Sequence, residues 1–222
     1  MNLIALDTST EYLSIAVRFD GVVHAHHSHV GQKHAEATLP QLAELLAEAG
    51  RPLADVDAIV FGQGPGSFTG LRIGCGLAQG LAFSCAKSLI GIPTLDALAA
   101  TVDAPCVLAC LDARMGEVYA AGYDRRDGSQ PIPMGLYAPD ALPVIDGIRW
   151  VGAGSGFDAH AEALASRLGN TLAAVEPGRQ PSALAMLALA DSGRYPLVPP
   201  ERAELLYLRN KVALTTRERE AR

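Results

Sequence analysis

Two stretches of this chain follow one plan: "IALDTSTEYLSIAVRFDG", Ile4–Gly21, and "ACLDARMGEVYAAGYDRRDG", Ala109–Gly128. Each has a buried apolar run, a turn opening on Asp, an alternating strand, and an acidic turn closed by Gly. Asp7 aligns with Asp112, Leu6 with Leu111 and Ala16 with Ala121. Such self-similarity reads as an internal duplication of a β-hairpin unit. It predicts two similar α/β lobes, residues 1–104 and 105–213, with a charged tail at 214–222 and a boundary near Thr101–Pro105.

The segments around the repeats fit that reading. "LIALD", the run from Tyr12 and "VVHAHHSHV" form a three-strand meander. "KHAEATLPQLAELLAEAG" is an amphipathic helix with Leu39, Leu42, Leu46 and Ala49 on one stripe and Gly50 as its stop. Pro40 belongs in its first regular turn or kinks it. "DAIVFG" and "LIGIP" are strands, and "TGLRIGCGLAQGLAFSCA" is a helix with Thr69 as candidate N-cap. "TLDALAATV" is a short helix, "IRWVG" a strand, and "FDAHAEALASRLG" and "PSALAMLALADSG" are helices. "RYPLVPP" reads as a surface loop, and Gln130–Arg149 carries little signal.

Composition narrows the function. The formal charge is −6, so the chain is a poor binder of phosphate backbones by itself. Its four cysteines form no C-x-x-C pair, which argues against zinc knuckles and thioredoxin-type redox chemistry. "MNLIALDTST" lacks a basic leader, and no apolar run is long enough to cross a bilayer, so a cytoplasmic location is expected.

The glycine-rich stretch "GQGPGSFTGLRIG", Gly62–Gly74, runs from strand to helix and invites a phosphate. It lacks the Gly-Lys-Ser/Thr ending of a P-loop: Leu71 and Arg72 follow Gly70. The dinucleotide spacing also fails, since Ser67 stands where a later glycine is needed. Glycines then recur inside the helix, Gly70 with Gly74 and Gly76 with Gly80, each costing about 1 kcal/mol relative to alanine. Close approach by another helix or by a ligand would explain them. Gly70, Gly74, Leu77 and Leu81 share a face apart from Arg72 and Gln79, which favours helix against helix.

Other features point less sharply. The histidines of "HAHHSH" alternate between strand faces, His24 and His26 against His27 and His29, with no carboxylate or thiolate among them. His34 begins a helix but has no histidine four residues on. Asp7, with Thr8 and Ser9, can orient a metal-bound water or a phosphate, or form an Asx-turn; Asp112 offers the same choice. "GAGSG", with Gly154 at its centre, is either an adenosine-phosphate loop or a tight βα connection. Ser67 and Ser155 sit in no G-x-S-x-G elbow. Cys75 and Cys85 read as buried and inert.

"LDTST", "GQGPGSFTGLRIGCGLAQGLA", "GIPTLDALA", "LDARMGEVYAA" and "YLRN" occur in this order. Together they resemble the TsaB (YeaZ) family of tRNA threonylcarbamoyladenosine biosynthesis proteins, from Leu3 to about Ala213. The resemblance implies a duplicated RNase H-like α/β fold of the ASKHA group (actin, Hsp70, sugar kinases). It implies kinship with the TsaD transferase, which carries histidine metal ligands just after its counterpart of "GIP". Here Thr94–Ala100, "TLDALAA", contains no histidine, so no metal and no catalytic residue are expected in this chain. The family implies a non-catalytic partner of a TsaD-type subunit, with a TsaE-type ATPase, a functional link to a TsaC-type enzyme, and tRNA held through the complex. A homodimer is the alternative use of the same surface. That surface would comprise Leu39, Leu42, Leu46, Gly70, Arg72, Ile73, Gly74, Leu77 and Leu81. A vestigial ATP/ADP site would involve Asp7, Thr8, Ser9 and Gly154. The competing readings are an ASKHA-type nucleotide hydrolase or kinase using Asp7 and the Gly152–Gly156 loop, and a peptidase.

Overall fold

The structure, a computed structural model, describes residues 1–209. The tail at 214–222 and Asn210 of the "YLRN" motif lie outside the described residues. The strands are β1 (Leu3–Asp7), β2 (Tyr12–Phe19), β3 (Val22–His29), β4 (Ala58–Gly64), β5 (Ser88–Pro93), β6 (Cys106–Asp112), β7 (Val118–Asp124), β8 (Ser129–Tyr137), β9 (Trp150–Ala153), β10 (Leu172–Glu176) and β11 (Leu197–Val198). The helices are α1 (His34–Ala49), α2 (Phe68–Cys85), α3 (Thr94–Ala99), α4 (Ser155–Ala159), α5 (Ala161–Leu168) and α6 (Ala183–Ala190).

The strands build two sheets, ordered β11-β5-β4-β1-β2-β3 and β10-β9-β6-β7-β8. In each, a central strand (β1 or β6) opens an antiparallel three-strand meander and pairs parallel with a later strand (β4 or β9). This is the duplicated RNase H-like α/β plan. The parallel strands, covered on both faces, are almost continuous apolar runs, as parallel sheets require. Helices α1 and α2 cover one face of the first sheet, over a core including Ile4, Leu6, Leu42 and Cys75. Helices α3 and α6 cover its other face, and α3 also packs on β6 and β7 of the second sheet.

The repeat has a different register from the one the sequence suggests. Ala5 lies opposite Ala16, and Ala109 lies opposite Ala121. Both pairs face the layer containing α3. Ala109 is therefore the counterpart of Ala5, and Leu111 rather than Asp112 takes the place of Asp7. Because strand side chains alternate, a one-residue offset puts the two aspartates on opposite faces.

Several elements also differ from expectation. Ser67, not Thr69, caps α2, its Oγ accepting from the Gly70 N–H at 3.2 Å. Helix α1 runs through Pro40 in its second turn rather than its first. The predicted helix from Phe157 to Gly169 is broken at His160, whose φ of −133° is not helical. "RYPLVPP" is not wholly a loop: Leu197–Val198 adds an antiparallel edge to β5. Strands β8 and β10 carried no legible signal. With α6 on β1 and β2, and β11 beside β5, the C-terminal part of the chain returns to the first sheet.

Candidate partner-binding face

The glycine-rich loop encloses part of its own chain. A Cβ added at Gly62, Gly66, Gly70 or Gly74 would lie under 3.0 Å from an atom of Asp7, Ser9, Thr8 or Thr8 respectively. Gly64, at φ +109°, passes 2.6 Å from the Leu206 carbonyl oxygen by the same measure. The loop is thus wrapped around the Asp7–Ser9 turn on one side and the C-terminal segment on the other. The Ser67 N–H, which a phosphate would need, donates to the Ser9 carbonyl at 2.7 Å. Carbonyl oxygens occupy the cradle and present the wrong polarity to an anion.

Asp7, Thr8 and Ser9 are brought together with the loop, and all three are buried. Asp7 Oδ1 accepts from the Ser9 N–H at 3.1 Å and the Ser9 hydroxyl at 2.7 Å, an Asx-turn. Oδ2 is buried without a hydrogen-bond partner among the described residues. Burial pushes the Asp7 carboxyl above the usual range, against the Ser9 hydrogen bonds and the field of His34. Asp112, on the opposite face of its sheet, forms an Asx-turn of its own, accepting from the Arg114 N–H at 2.8 Å, and faces His160 at 3.6 Å.

Gly154 lies elsewhere. Its neighbours are the Cys110 carbonyl and Leu98, and a Cβ on Gly156 would meet Cys110 Sγ. "GAGSG" is packed as a tight βα connection. In α3, Leu95 and Leu98 are buried, and Asp96 accepts from the Tyr123 hydroxyl at 2.5 Å and the Tyr195 hydroxyl at 2.6 Å. The stretch compared with a metal-bearing segment is thus occupied by core residues and a fixed carboxylate. Histidines 24 and 26 are half-buried on one face of β3, with His27 and His29 exposed on the other. Cys75 is buried and Cys85 half-buried, both as free thiols.

The remaining candidates lie on α1 and α2. Glu48 of α1 reaches His24 of β3 at 3.5 Å, so the flank carrying Leu39 and Leu46 turns toward α2. Gln79 of α2 donates to the Pro200 carbonyl at 2.8 Å, so the flank carrying Leu77 and Leu81 turns toward α1. Leu39 is 47% exposed, whereas Leu46 and Leu81 are half-buried at the edge of the core. Leu42 is 2% exposed and belongs to the chain's own core, as do Gly70 and Gly74 to its own loop packing. The close approach those two glycines permit is to a turn, not to another helix.

Outward on α2, half-buried Ile73 and exposed Gly76, Gly80 and Phe83 line up at helical spacing. A Cβ on Gly76 or Gly80 would meet nothing within 4 Å. Phe83 is 60% exposed. At the N-terminal end of α2, the Arg72 guanidinium lies 3.2 Å from the Phe68 ring centroid and 5.2 Å from that of Tyr207. Phe68, Phe83 and Tyr207 escaped the sequence reading. Phe83 was legible as the residue seven after Gly76; Tyr207 was not, because only the fold carries it to α2. Two adjacent helices therefore present an apolar ridge floored by glycine backbone, a surface suited to close helix packing by another protein.

Known proteins are similar to the chain in sequence and fold. The family model "TsaD: tRNA N6-adenosine threonylcarbamoyltransferase" matches residues 8–133. The tRNA threonylcarbamoyladenosine biosynthesis protein TsaB of Escherichia coli is 36% identical over 229 residues, 96% of either chain. That of Haemophilus influenzae is 46% identical over 124 residues, covering 54% of this chain and 52% of the relative. The solved structure of YeaZ from Pseudomonas aeruginosa is 36% identical, covers 93% of this chain and 99% of its own, and superposes with a TM-score of 0.82.

Proposed function

This chain belongs to the TsaB family of tRNA threonylcarbamoyladenosine biosynthesis proteins, within the wider group described by the TsaD family model, and from that premise we propose that it is the non-catalytic activator of a TsaD-type transferase. In this reading the TsaD-type subunit performs the threonylcarbamoyl transfer to adenosine 37 of tRNAs reading ANN codons. A TsaE-type ATPase joins the complex, a TsaC-type enzyme supplies threonylcarbamoyl-AMP, and tRNA is held mainly through the partner. The assembly works in the cytoplasm; among the described residues no helix is long and apolar enough to cross a membrane.

The observation that carries the proposal is the α1–α2 face, uncovered among the described residues, with Leu39 and Phe83 exposed and Gly76 and Gly80 open to a neighbour. Burying two such side chains is worth roughly 1.5–3 kcal/mol each before association costs. The packed loops at Gly62–Gly74 and Gly152–Gly156 support a scaffolding role over nucleotide turnover.

The test is reconstitution of threonylcarbamoyladenosine on tRNA with TsaC, TsaD, TsaE, ATP, threonine and bicarbonate, with and without this chain. Strict dependence on the chain, with no turnover by it alone, is the expected result. Equal product in its absence would overturn the proposal.

A further inference from the structure

The outward face of α2 is built on residues that never reach the surface. Its first two and a half turns carry Phe68, Arg72, Ile73 and Gly76 outward, and Gly70 and Gly74 inward. Inward, they meet the dipeptide Thr8–Ser9 at the end of β1. The Thr8 hydroxyl donates to the Gly70 carbonyl at 2.7 Å, and the Ser9 carbonyl accepts the Ser67 N–H at 2.7 Å. The fit is tight: a Cβ on Gly70 would lie under 3.0 Å from the Thr8 carbonyl oxygen, and one on Gly74 under 3.0 Å from Thr8 Oγ1. Thr8 is only 2% exposed. Thr8 directly follows strand β1, which is paired on both sides as far as Leu6 and with β2 as far as Asp7, so the turn starts from a fixed strand end.

We propose that Thr8 is a positioning residue for partner recognition: its hydroxyl, seated between Gly70 and Gly74, sets the height and pitch of the α2 face without touching the partner. The proposal rests on the activator reading above. It follows from close packing: protein interiors relax only partially, so an atom inserted between helix and turn moves the helix. A partner face of interdigitating side chains is sensitive to displacements of about 1 Å.

The experiment measures affinity for the TsaD-type subunit by calorimetry, and the concentration of this chain that half-saturates threonylcarbamoyladenosine formation. Gly74→Ala is expected to weaken binding about tenfold or more, raising the half-saturating concentration while the rate at saturation is kept. Combining it with Thr8→Ala removes Oγ1, leaving Leu6 Cδ1 at 3.5 Å as the nearest remaining atom to the new methyl, an ordinary contact. The double variant should therefore bind better than Gly74→Ala alone. A double variant no better than the single overturns the proposal.

If Gly74→Ala does not fold, Thr8→Ser and Thr8→Val give the answer. Serine keeps the hydroxyl and should retain affinity, whereas isosteric valine should lose it several-fold. Equal affinity of the two again overturns the assignment. Gly76→Leu, whose side chain enters open space, separates this proposal from the activator reading. Weakened binding by Gly76→Leu with no effect at position 74 or 8 sinks the positioning role alone. No effect of Gly76→Leu sinks the interface itself.

Discussion

After β4 the chain enters a helix of 18 residues; after β9, the corresponding strand of the second sheet, it enters one of five, breaks at His160 and resumes for eight. Both connections are glycine-rich and both wrap tightly around the end of the central strand, Thr8 in one and Cys110 in the other. The first continues into a long helix with an apolar outer face. The second presents Asp158, Glu162, Ser166 and Arg167 outward. One copy of the unit carries the surface proposed for association and the other a largely polar one. The difference lies in the helices beyond the glycines, not in the glycines themselves.

That asymmetry is most directly broken at the outer face. Replacing Leu39 and Phe83 together by Asp should reduce affinity for the TsaD-type subunit by at least about 100-fold. The unfolding temperature should hold, because both side chains are exposed. Ala163→Asp, on the exposed side of α5, should leave affinity unchanged. Binding titrations beside thermal melts check both variants, and equal losses from the two lobes would erase the comparison.

A second contrast separates core from face within α1. Leu42→Ala should destabilise by about 2–5 kcal/mol through cavity formation. Leu39→Ala should change stability by no more than about 0.5 kcal/mol, as at other surface sites. Denaturant titration distinguishes them.

The lobes should also differ in their response to pH. Asp7 is buried with one oxygen that has no hydrogen-bond partner among the described residues, and burial raises its carboxyl, so the folded state favours the proton. Its contribution is most favourable below the unfolded carboxylate range and is lost as pH rises through the elevated folded value. Asp7→Asn keeps the acceptor for Ser9 and removes that loss. Melts at neutral pH should rise by about 2–4 °C for each kcal/mol recovered, and the slope between acid and neutral pH should flatten. Asp124 has the opposite sign. Its Oδ1 accepts from the Arg126 Nε at 2.8 Å, and Arg126 holds the carboxyl down at about 2. That contribution is present above the unfolded value near 3.8 and fades as pH falls toward 2. Arg126→Gln should remove this smaller acid-side dependence, measured as melting temperature between pH 5 and 2.

Much of this was legible in order along the chain. Uninterrupted apolar runs marked β1, β4 and β6, because a strand covered on both faces has no polar side to show. Alternation marked β2 and β3: β3 turns one side to solvent, whereas in β2 the side with Ser14 and Ala16 lies buried under α6, the Ser14 hydroxyl oxygen accepting the Ala183 N–H at 2.9 Å. Strands β8 and β10 were silent because an edge strand needs little burial: β10, "LAAVE", has three of its five residues exposed. The helix from Phe157 onward looked continuous because the residues around His160 are good helix formers; its backbone geometry is set by packing.

By itself, the sequence determined that two strand-turn-strand units recur, that the glycines between Gly62 and Gly80 call for close approach by a helix or a ligand, and that the chain resembles TsaB. Local propensity, periodicity and motif identity are properties of neighbouring residues, so they survive without coordinates. The tertiary structure decided what each glycine is for, which leucines of α1 face inward, and which face each aspartate takes. Those depend on the partner across space: Thr8 meets Gly74 only because β1 and α2 converge, and Leu111 takes the place of Asp7 only because the second hairpin pairs one residue out of step. A side-chain period of two along a strand turns that single residue into a change of face.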